Sequence, residues 1–347
     1  MTGRDKNRSL HKAKSSKQDE FYTQLSDIEK ELKHYKGHFA GKVVYCNCDD
    51  PRVSNFFHYF SYNFEKLGLK RLITTCYKNQ NMDMFSQNDS EHAIYLEYSG
   101  DKNGNSVPDP EEIGIKHLKG DGDFRSEECI KLLKQVDIVV TNPPFSLLRE
   151  YVEQLVQYKK KFLIIGNINA ISYKEIFKLI KENRIWLGAS IHSGDREFGV
   201  PDHYPLNAAG FRVDSAGRKF IRVKGVRWLT NLDYDERHEE MVLFNEYSPS
   251  KYPSYDNYDA IEVSKTADIP MGYDGAMGVP VTFLDKYNPD QFEILGITDR
   301  DNNSGLKTKI YTLEDVKNPG DLNRRGVIRI GHTFKPTYAR LLIRRNS

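Results

Sequence analysis

The sequence predicts an α/β protein with a doubly wound, mostly parallel sheet and an irregular C-terminal region. Short apolar, β-branched runs alternate with segments of helical periodicity, which is typical of a parallel sheet with helices on both faces. A chain of 347 residues is long enough for one large domain with an appendage. The expected sheet strands are residues 42–47, 72–77, 138–141, 161–166, 185–188 and 226–232.

Three regions follow from this pattern. Residues 1–18 are a basic arm, residues 19–236 form the α/β domain, and residues 237–347 form the irregular region with a basic tail. Within the domain, residues 78–110 are polar and rich in turn formers, apart from a possible strand at residues 93–98, so an insertion is expected there. From about Arg237 the segments are short, aromatic and rich in Pro and Gly, so no second α/β unit is expected.

Composition argues against several classes of protein. No apolar run approaches the length of a membrane span, and the N-terminus is polar and basic, unlike a signal peptide. The four cysteines, Cys46, Cys48, Cys76 and Cys129, show no C-x-x-C spacing, so neither a disulfide framework nor a zinc site is expected. These features predict a cytoplasmic protein without a metal.

Positive charge is concentrated at the two ends of the chain. The net charge is only +2, yet residues 323–347 hold seven Lys or Arg and no acid, and the first 17 residues are nearly as basic. Solvated termini and contact with nucleic-acid phosphates both fit this composition, which does not decide between them. The candidate phosphate contacts are Lys12, Lys14, Lys17, Arg324 and Arg325.

The central motif follows the predicted strand 138–141. Asn142-Pro143-Pro144-Phe145 stops this strand abruptly, and the two prolines fix two backbone angles and remove two N–H donors. The rigid loop offers the amide oxygen of Asn142, the carbonyl of Pro143 and the aromatic face of Phe145. Two acceptors beside a stacking face suit a planar ring that carries an exocyclic amino group. The alternative is a plain turn, in which Asn142 caps the strand and Phe145 belongs to the core.

Two other loops offer polar groups. Cys46, Asn47 and Asp49 end the first strand, in a loop without the G-x-G of a phosphate cradle. Asp49 could pair with an ammonium group, although a loop aspartate is more often a turn former or a helix cap. Asp123 and Phe124 open a helix, where the carboxylate could accept from an adenine amino group and the ring could stack on it. A turn with a cap has comparable weight for that pair.

The first ordered element is expected to begin near Asp19. The segment 21–23 precedes a helix, which a capping box of Ser26 and Glu29 should begin. Phe21 and Tyr22 either form a hydrophobic staple on this helix or cover a bound adenosine. The residues alone leave both interpretations open.

Residues 46–57, 120–126, 137–145, 228–233 and 255–261 carry long, unusual motifs. They resemble the EcoRI-type adenine-specific DNA modification methylases, which are class I S-adenosylmethionine-dependent methyltransferases. The resemblance spans about residues 10–293. It implies S-adenosylmethionine as the donor, double-stranded DNA as the partner and N6-methyladenine as the product. The implied target is the inner adenine of GAATTC, protected within a restriction–modification system whose endonuclease is a genetic partner.

The resemblance also assigns roles to residues that match its motifs. Residues 19–236 would be the catalytic domain and residues 237–347 the target-recognition region. The second strand ends Thr74-Thr75-Cys76-Tyr77 without the acid that usually binds the ribose hydroxyls, so those contacts stay open. The catalytic and base-holding residues would be Asn142, Pro143 and Phe145, with Phe198 as a second wall of the base pocket. The cofactor residues would be Phe21, Tyr22, Thr23, Cys46, Asn47, Asp49, Asp123 and Phe124.

Rival functions remain at this stage. The Asn-Pro-Pro-aromatic motif is shared with enzymes that methylate RNA or protein glutamine. A DNA-binding protein that kept the scaffold without the chemistry would also fit. A test for N6-methyladenine in duplex DNA separates these functions from the expected one.

Overall fold

The structure is a computed structural model that describes residues 21–49, 54–77, 93–105, 108–109, 112–200, 210–299 and 305–346. These residues divide into two compact units. The first unit comprises the described residues up to Ala170 together with Gly188–Asp233. The second comprises Ile171–Leu187 together with Tyr234 and the described residues after it.

The described ranges contain seven α-helices and twenty strands. The helices are α1 Leu25–Leu32, α2 Asn55–Tyr62, α3 Phe64–Leu67, α4 Glu127–Lys134, α5 Leu148–Gln157, α6 Lys174–Lys181 and α7 Pro319–Leu322. The strands are β1 Tyr22–Thr23, β2 Val43–Cys48, β3 Arg71–Cys76, β4 Ile94–Tyr98, β5 Gly114–His117, β6 Ile138–Thr141, β7 Lys161–Asn167, β8 Trp186–Leu187, β9 Asp195–Val200, β10 Arg212–Val213, β11 Lys219–Lys224, β12 Val226–Thr230, β13 Asn245–Glu246, β14 Ile261–Glu262, β15 Pro270–Met271, β16 Met277–Pro280, β17 Phe292–Ile297, β18 Val327–Ile330, β19 Thr333–Pro336 and β20 Arg340–Arg345. None of these helices is long and apolar enough to cross a membrane.

The first unit is built on a large mixed sheet. Seven of its strands lie in the order β5-β4-β3-β2-β6-β7-β12. Strands β3, β2, β6 and β7 are mutually parallel, whereas β4, β5 and β12 pair antiparallel with their neighbours. β2, β6 and β7 are buried along almost their whole length, as expected for apolar runs in a parallel core. The prediction of an α/β fold around a large sheet is confirmed.

The order of strands reverses at β2. The chain places β3 on one side of β2 and later places β6 on the other side. The loops that follow β2 and β6 therefore leave the same edge of the sheet beside each other. Open α/β sheets bind ligands in the crevice at such a reversal.

Parts of the first unit differ from expectation. Residues 94–98 form β4, in agreement with the possible strand at 93–98, but β5, which pairs with β4, was not predicted. All four residues of β5 are exposed, so its sequence lacks the pattern of apolar residues that predicts a strand. A second sheet has the order β1-β9-β11-β10. The sequence of residues 211–223 predicts its hairpin of β10 and β11, whereas the sequence of residues 193–204, which contain β9, predicts a loop.

The second unit is more regular than the sequence predicted. Strands β14, β16, β20 and β17 form a sheet in that order. The basic end of the chain is folded, because Leu341, Leu342 and Ile343 on β20 are fully buried. Two clusters of buried side chains make up further parts of the core, one of Tyr255, Tyr258, Ala260 and Leu342 and one of Tyr311, Leu322 and Val327.

Candidate active site

The Asn142–Phe145 loop leaves the carboxyl end of β6, between β2 and β7 in the sheet. Asn142 and Pro143 are buried, whereas Pro144 and Phe145 are partly exposed. Phe145 begins a short 3-10 helix, and α5 follows directly at Leu148. The two prolines therefore turn the chain from a buried strand into a helix with little intervening loop, as their fixed backbone angles favour.

One hydrogen bond fixes the orientation of the Asn142 amide. Its Nδ2 donates to the backbone carbonyl of Phe21 at 2.6 Å. Because a carbonyl can only accept, the amide nitrogen must face Phe21. The amide oxygen Oδ1 is buried and has no hydrogen-bond partner in the described part of the chain. A buried acceptor left in this state costs about 1–3 kcal/mol, so a ligand that donates a hydrogen there removes a penalty.

Three aromatic rings meet at this loop. The ring centroid of Phe145 lies 5.6 Å from that of Phe21 and 6.4 Å from that of Phe198, in edge-to-face arrangements. The Phe21 and Phe198 centroids are 5.9 Å apart. Phe198 is buried, whereas Phe145 keeps accessible surface. The structure thus brings together three rings that are remote in sequence, at a place where a further aromatic ring could stack.

β1 holds the Phe21 carbonyl in place. Tyr22 and Thr23 pair with Gly199 and Phe198 of β9. The side-chain nitrogen of Asn55 donates to the Thr23 carbonyl at 2.7 Å. The Thr23 hydroxyl is buried and, within the described residues, has no hydrogen-bond partner.

The start of α1 corrects a prediction. This helix begins at Leu25 after Gln24 and has no side-chain cap. The predicted capping box of Ser26 and Glu29 is therefore wrong. The ring of Phe21 contacts Phe145 and Phe198, which places this segment beside the Asn142 loop.

A buried network joins the carboxyl ends of β2 and β6. The backbone pairing between these strands covers two residue pairs, Val44 with Ile138 and Tyr45 with Val139. Beyond it, the Thr141 hydroxyl donates to the Asn47 carbonyl, and the Tyr151 hydroxyl of α5 donates to the Asn47 side-chain oxygen. Burial raises the pKa of Tyr151 well above its usual value, so the phenol stays protonated and remains the donor.

The chain turns sharply at the end of β2. Cys48 has a φ of 81°, a left-handed conformation that residues other than glycine seldom adopt. Asp49 follows; it is buried and accepts a hydrogen bond from the Ser54 hydroxyl at 3.3 Å. Burial and the charge of Asp49 raise the pKa of Cys46, so this thiol is neutral and is a packing group. Residue 50, the last of the predicted cofactor loop 46–50, and the three residues after it lie outside the described ranges.

The Asp123–Phe124 loop lies against the end of β3. A Cβ on Gly122 would come within 2.1 Å of the Cys76 carbonyl oxygen, so glycine is required there. The Asp123 carboxylate accepts from the Arg125 guanidinium at 2.7 and 3.0 Å. The Phe124 ring is 7% exposed and packs edge-on against Tyr151, with centroids 4.9 Å apart. In this structure both side chains have protein partners, and their proposed contacts with adenine stay a prediction.

The candidate phosphate contacts divide into two groups. Lys12, Lys14 and Lys17 lie outside the described residues. Arg324 and Arg325 belong to the second unit, with side chains 55% and 39% exposed. Within the described residues they pair with carboxylate oxygens of Asp299 and Asp321, at 3.8 and 4.0 Å. Such long, exposed ion pairs contribute about 1 kcal/mol or less, so both guanidinium groups can exchange partners.

Sequence reasoning missed two parts of the site. The first is the Phe21 carbonyl, because backbone groups leave no mark in a sequence. The second is the pair of hydrogen bonds from Thr141 and Tyr151 to Asn47, since Tyr151 shows only the spacing of a core residue on an amphipathic helix.

Comparisons with known proteins place the chain in a family. The family model described as adenine-specific methyltransferase EcoRI matches residues 9–346. Type II methyltransferase M.EcoRI of Escherichia coli is 54% identical over 301 residues, which are 85% of this chain and 92% of that protein. Type II methyltransferase M.MgeORF184P of Mycoplasma genitalium is 39% identical over 82% of this chain and 85% of its own length. M.MpnI of Mycoplasma pneumoniae is 39% identical over 82% of this chain and 84% of its own length. No solved structure matches the chain significantly.

Proposed function

Because the chain belongs to the EcoRI family of adenine-specific DNA methyltransferases, we propose that it methylates N6 of the inner adenine of GAATTC in double-stranded DNA. The donor is S-adenosylmethionine, and the product protects DNA from a cognate endonuclease. The observation that carries the chemistry is the buried Oδ1 of Asn142, which lacks a partner among the described residues while the amide is oriented by the hydrogen bond from Nδ2 to the Phe21 carbonyl.

The residues around the ends of β1 and β2 fit the proposed donor. The Thr23 hydroxyl is a buried polar atom without a described partner, and it can bond to a polar group of a ligand. The Asp49 carboxylate is buried at the end of β2 and can pair with the ammonium of a methionine moiety. When bound, S-adenosylmethionine supplies an electrophilic methyl group on a sulfonium.

Asn142 and Pro143 prepare the adenine amine as the nucleophile. The lone pair of this amine is delocalised into the ring, so the free base is a poor nucleophile. Oδ1 of Asn142 and the Pro143 carbonyl accept its two hydrogens, which favours a pyramidal nitrogen whose lone pair points at the methyl group. Both oxygens are fixed before the reaction, so they stabilise the positive charge that grows on nitrogen in the transition state.

No dedicated base is required in this scheme. Formation of the N–C bond would break the bond between the methyl carbon and the sulfonium sulfur, whose electron pair would stay on sulfur as a neutral thioether, and would give a methylated ammonium whose N–H groups face the two oxygens. This cation is acidic enough to release one proton to water, which restores a neutral amine. The chain therefore has to orient the nitrogen and exclude bulk water from the methyl group, and it does not need a side chain that titrates near pH 7.

Phe145 is proposed to stack on the target base. An adenine within a duplex cannot reach a buried amide, so the base must leave the helix, at a cost of roughly a few kcal/mol. Stacking on an aromatic ring contributes about 1–3 kcal/mol and offsets much of that cost. Phe198, 6.4 Å from Phe145, supports the ring from the side as the second wall.

A class I, doubly wound fold is part of the proposal. Support comes from four parallel strands and from the reversal of order at β2, with the Asn142 loop on the adjacent strand β6. The antiparallel pairing of β4 with β3 and of β12 with β7 bounds this parallel core.

The direct test is methyl transfer to defined DNA. The protein is incubated with labelled S-adenosylmethionine and a duplex that contains one GAATTC site, and the nucleosides are analysed for N6-methyladenine. Duplexes with one altered base pair in the site should lose about 1–3 kcal/mol of binding each. Equal methylation of GAATTC and a scrambled site would overturn the target assignment and leave the chemistry standing. Absence of N6-methyladenine would overturn the chemistry.

A further inference from the structure

The loop between β4 and β5 has an unusual order of oxygen-bearing side chains. Asp101, Asn103, Asn105, Asp109 and Glu112 occupy positions 1, 3, 5, 9 and 12 of a twelve-residue stretch. This is the spacing of side-chain ligands in calcium-binding loops of the EF-hand type, where position 12 is a glutamate that binds through both oxygens. Composition alone marks most of this stretch only as part of a polar insertion.

The environment of Glu112 is a second feature that favours a bound cation. It is 6% exposed, although glutamate is rarely buried without a charge partner. Its Oε1 accepts from the backbone N–H groups of Lys102 and Asn103 at 2.5 and 3.2 Å, so the carboxylate points into the turn that begins at Asp101. Its Oε2 is buried and has no hydrogen-bond partner in the described residues. A buried carboxylate oxygen in this state requires a positive or donating partner.

The other side chains of the set are gathered around the same turn. Asp101 accepts from the Gly104 backbone N–H at 2.7 Å. Asp109 accepts from the Asn103 and Asn105 side-chain nitrogens at 2.6 and 3.4 Å. The backbone N–H of Glu112 donates to Asp109 at 3.2 Å. All five spaced residues therefore lie around one turn.

The local field is negative. Burial and the charges of Glu112, Asp101, Glu65 and Asp109 raise the pKa of Tyr98 to about 12. The effect of these carboxylates on one phenol agrees with the hydrogen bonds that gather Asp101, Asp109 and Glu112 around the turn. A cation bound in the loop would offset the electrostatic repulsion between these negatively charged carboxylates.

We propose that the β4–β5 loop binds one calcium ion through oxygens of Asp101, Asn103, Asn105, Asp109 and Glu112. Calcium accepts six to eight oxygen ligands in flexible geometry, and these five side chains supply up to six if Glu112 is bidentate. Calcium is preferred to magnesium, because magnesium demands near-ideal octahedral geometry and gives up its waters reluctantly.

The ion has to rearrange the loop to bind. Within the described residues, no three His, Cys, Asp or Glu side chains are already grouped so as to hold a metal. The two asparagine amides now turn nitrogen atoms toward Asp109, and a rotation of each amide would present oxygen instead. The binding free energy is reduced because that rotation breaks hydrogen bonds within the loop. We therefore expect a dissociation constant of about 10⁻⁵–10⁻³ M, on the weaker side of such loops.

Two features distinguish this loop from a helix–loop–helix site. Its glycine stands at position 4, where Gly104 has a φ of 77°, and not at position 6. Its flanks are the antiparallel strands β4 and β5, whose pairing ends at Glu97 and Gly114. A bound ion would therefore close the hairpin that extends the sheet beyond β3. The site is separate from methyl transfer, and its test needs no DNA.

The test is calorimetric titration of the full-length protein, freed of divalent ions by a chelator, with calcium chloride and in parallel with magnesium chloride. The expected result is one calcium ion per chain and at least tenfold weaker binding of magnesium, on the order of the usual discrimination of such loops. Saturating calcium should raise Tm by about 2 °C or more. No saturable calcium heat up to about 10 mM would overturn the proposal.

Matched variants locate the ion. Glu112→Gln keeps an acceptor for the Lys102 and Asn103 N–H groups and should weaken calcium binding by about tenfold or more. Asp101→Asn, at a partly exposed position, should do the same and decides the matter if Glu112→Gln fails to fold. The control is Glu128→Gln, because Glu128 also accepts two backbone N–H groups, from Lys119 and Gly120, outside the loop. Equal calcium affinity in the parent and in Asp101→Asn would place the ion elsewhere and refute the assignment.

Discussion

Asn142 in the first unit and the pair of Glu262 and Arg340 in the second are both buried polar groups, but they use their hydrogen-bonding atoms differently. Arg340 contacts both oxygens of Glu262, at 2.7 to 3.1 Å, and the Tyr255 hydroxyl donates to the same carboxylate. Asn142 uses its nitrogen on the Phe21 carbonyl, whereas its oxygen has no described partner.

The difference separates a structural polar group from one that is available to a ligand. Both oxygens of the buried Glu262 carboxylate accept hydrogen bonds, so its pair with Arg340 stabilises one arrangement of β14 and β20, because removal of Arg340 leaves a buried charge uncompensated. A buried acceptor that is held in place but not used carries a cost in the free protein. Such a cost is retained where a ligand removes it. Substitutions at the two places should therefore affect different measured quantities.

The largest effect on stability is expected at Arg340. Arg340→Met leaves Glu262 buried without its counter-ion and should lower the free energy of unfolding by about 3–5 kcal/mol. Arg344→Met is the control on the same strand, since Arg344 pairs with Glu293 at the surface, where both side chains are nearly half exposed. Arg344→Met should lower the free energy of unfolding by about 1 kcal/mol or less. Denaturant unfolding of both variants measures the difference, and equal decreases would contradict the comparison.

The largest effect on activity is expected at Asn142. Asn142→Ala removes one preorganised acceptor, so kcat should fall about 100-fold or more, by analogy with removal of one oxyanion-hole donor. Affinity for S-adenosylmethionine should change less, because the target amine is the main partner of Oδ1. The free energy of unfolding should fall by about 1 kcal/mol, because the Nδ2 hydrogen bond to the Phe21 carbonyl is lost while the other removed atom, Oδ1, was unsatisfied. Single-turnover methylation measures the rate of methyl transfer, and denaturant unfolding measures the free energy of unfolding.

Asn231→Ala is the matched control for that variant. Asn231 uses both ends of its amide, accepting from the Phe162 N–H at 2.8 Å and donating to the Lys160 carbonyl at 2.9 Å. It should lose about 1–3 kcal/mol of stability and keep the parental kcat. If Asn142→Ala methylates at the parental rate, the Asn142 loop is only a turn and the central assignment fails.

The two regions also differ in how far the sequence predicts them. The Asn142 loop was located correctly, because Pro143 and Pro144 act on their own backbone and the preceding apolar run marks the strand. The folded state of β20 was not predicted, because its arginines dominated the composition while the buried run Leu341–Ile343 is short. Whether it pairs depends on β16 and β17, which lie far from it in sequence.

Non-local contacts explain the other differences as well. The hydrogen bonds of Thr141 and Tyr151 to Asn47 cross 94 and 104 residues, and no local pattern encodes them. The Ser26–Glu29 capping box failed for a related reason. The chain enters α1 from β1, and the position of β1 is set by pairing with β9, so the helix starts earlier than the local motif indicated.

A smaller effect on activity is expected at Phe145. Phe145→Ala should weaken productive binding of the extruded base by roughly 1–3 kcal/mol, because the stacking face is removed. The effect should shrink when the target adenine lies opposite a mismatch or a gap, because less energy is then needed to extrude it. Phe145→Trp keeps an aromatic face and should retain much of the activity. Methylation of matched and mismatched duplexes by these variants is the measurement, and an equal decrease on both duplexes would argue against stacking.

The smallest effect is expected at the exposed arginines of the second unit. Replacing Arg324 and Arg325 by Gln should reduce the slope of log affinity against log salt by about 0.9 for each DNA phosphate that the protein no longer neutralises. The matched control is Lys178→Gln, since Lys178 pairs with Glu182 four residues away at 3.8 Å, much as Arg325 pairs with Asp321. Binding of a GAATTC duplex over a series of salt concentrations gives the slopes. An unchanged slope would mean that these guanidinium groups serve only their ion pairs within the protein, as Arg344 does with Glu293 on β17.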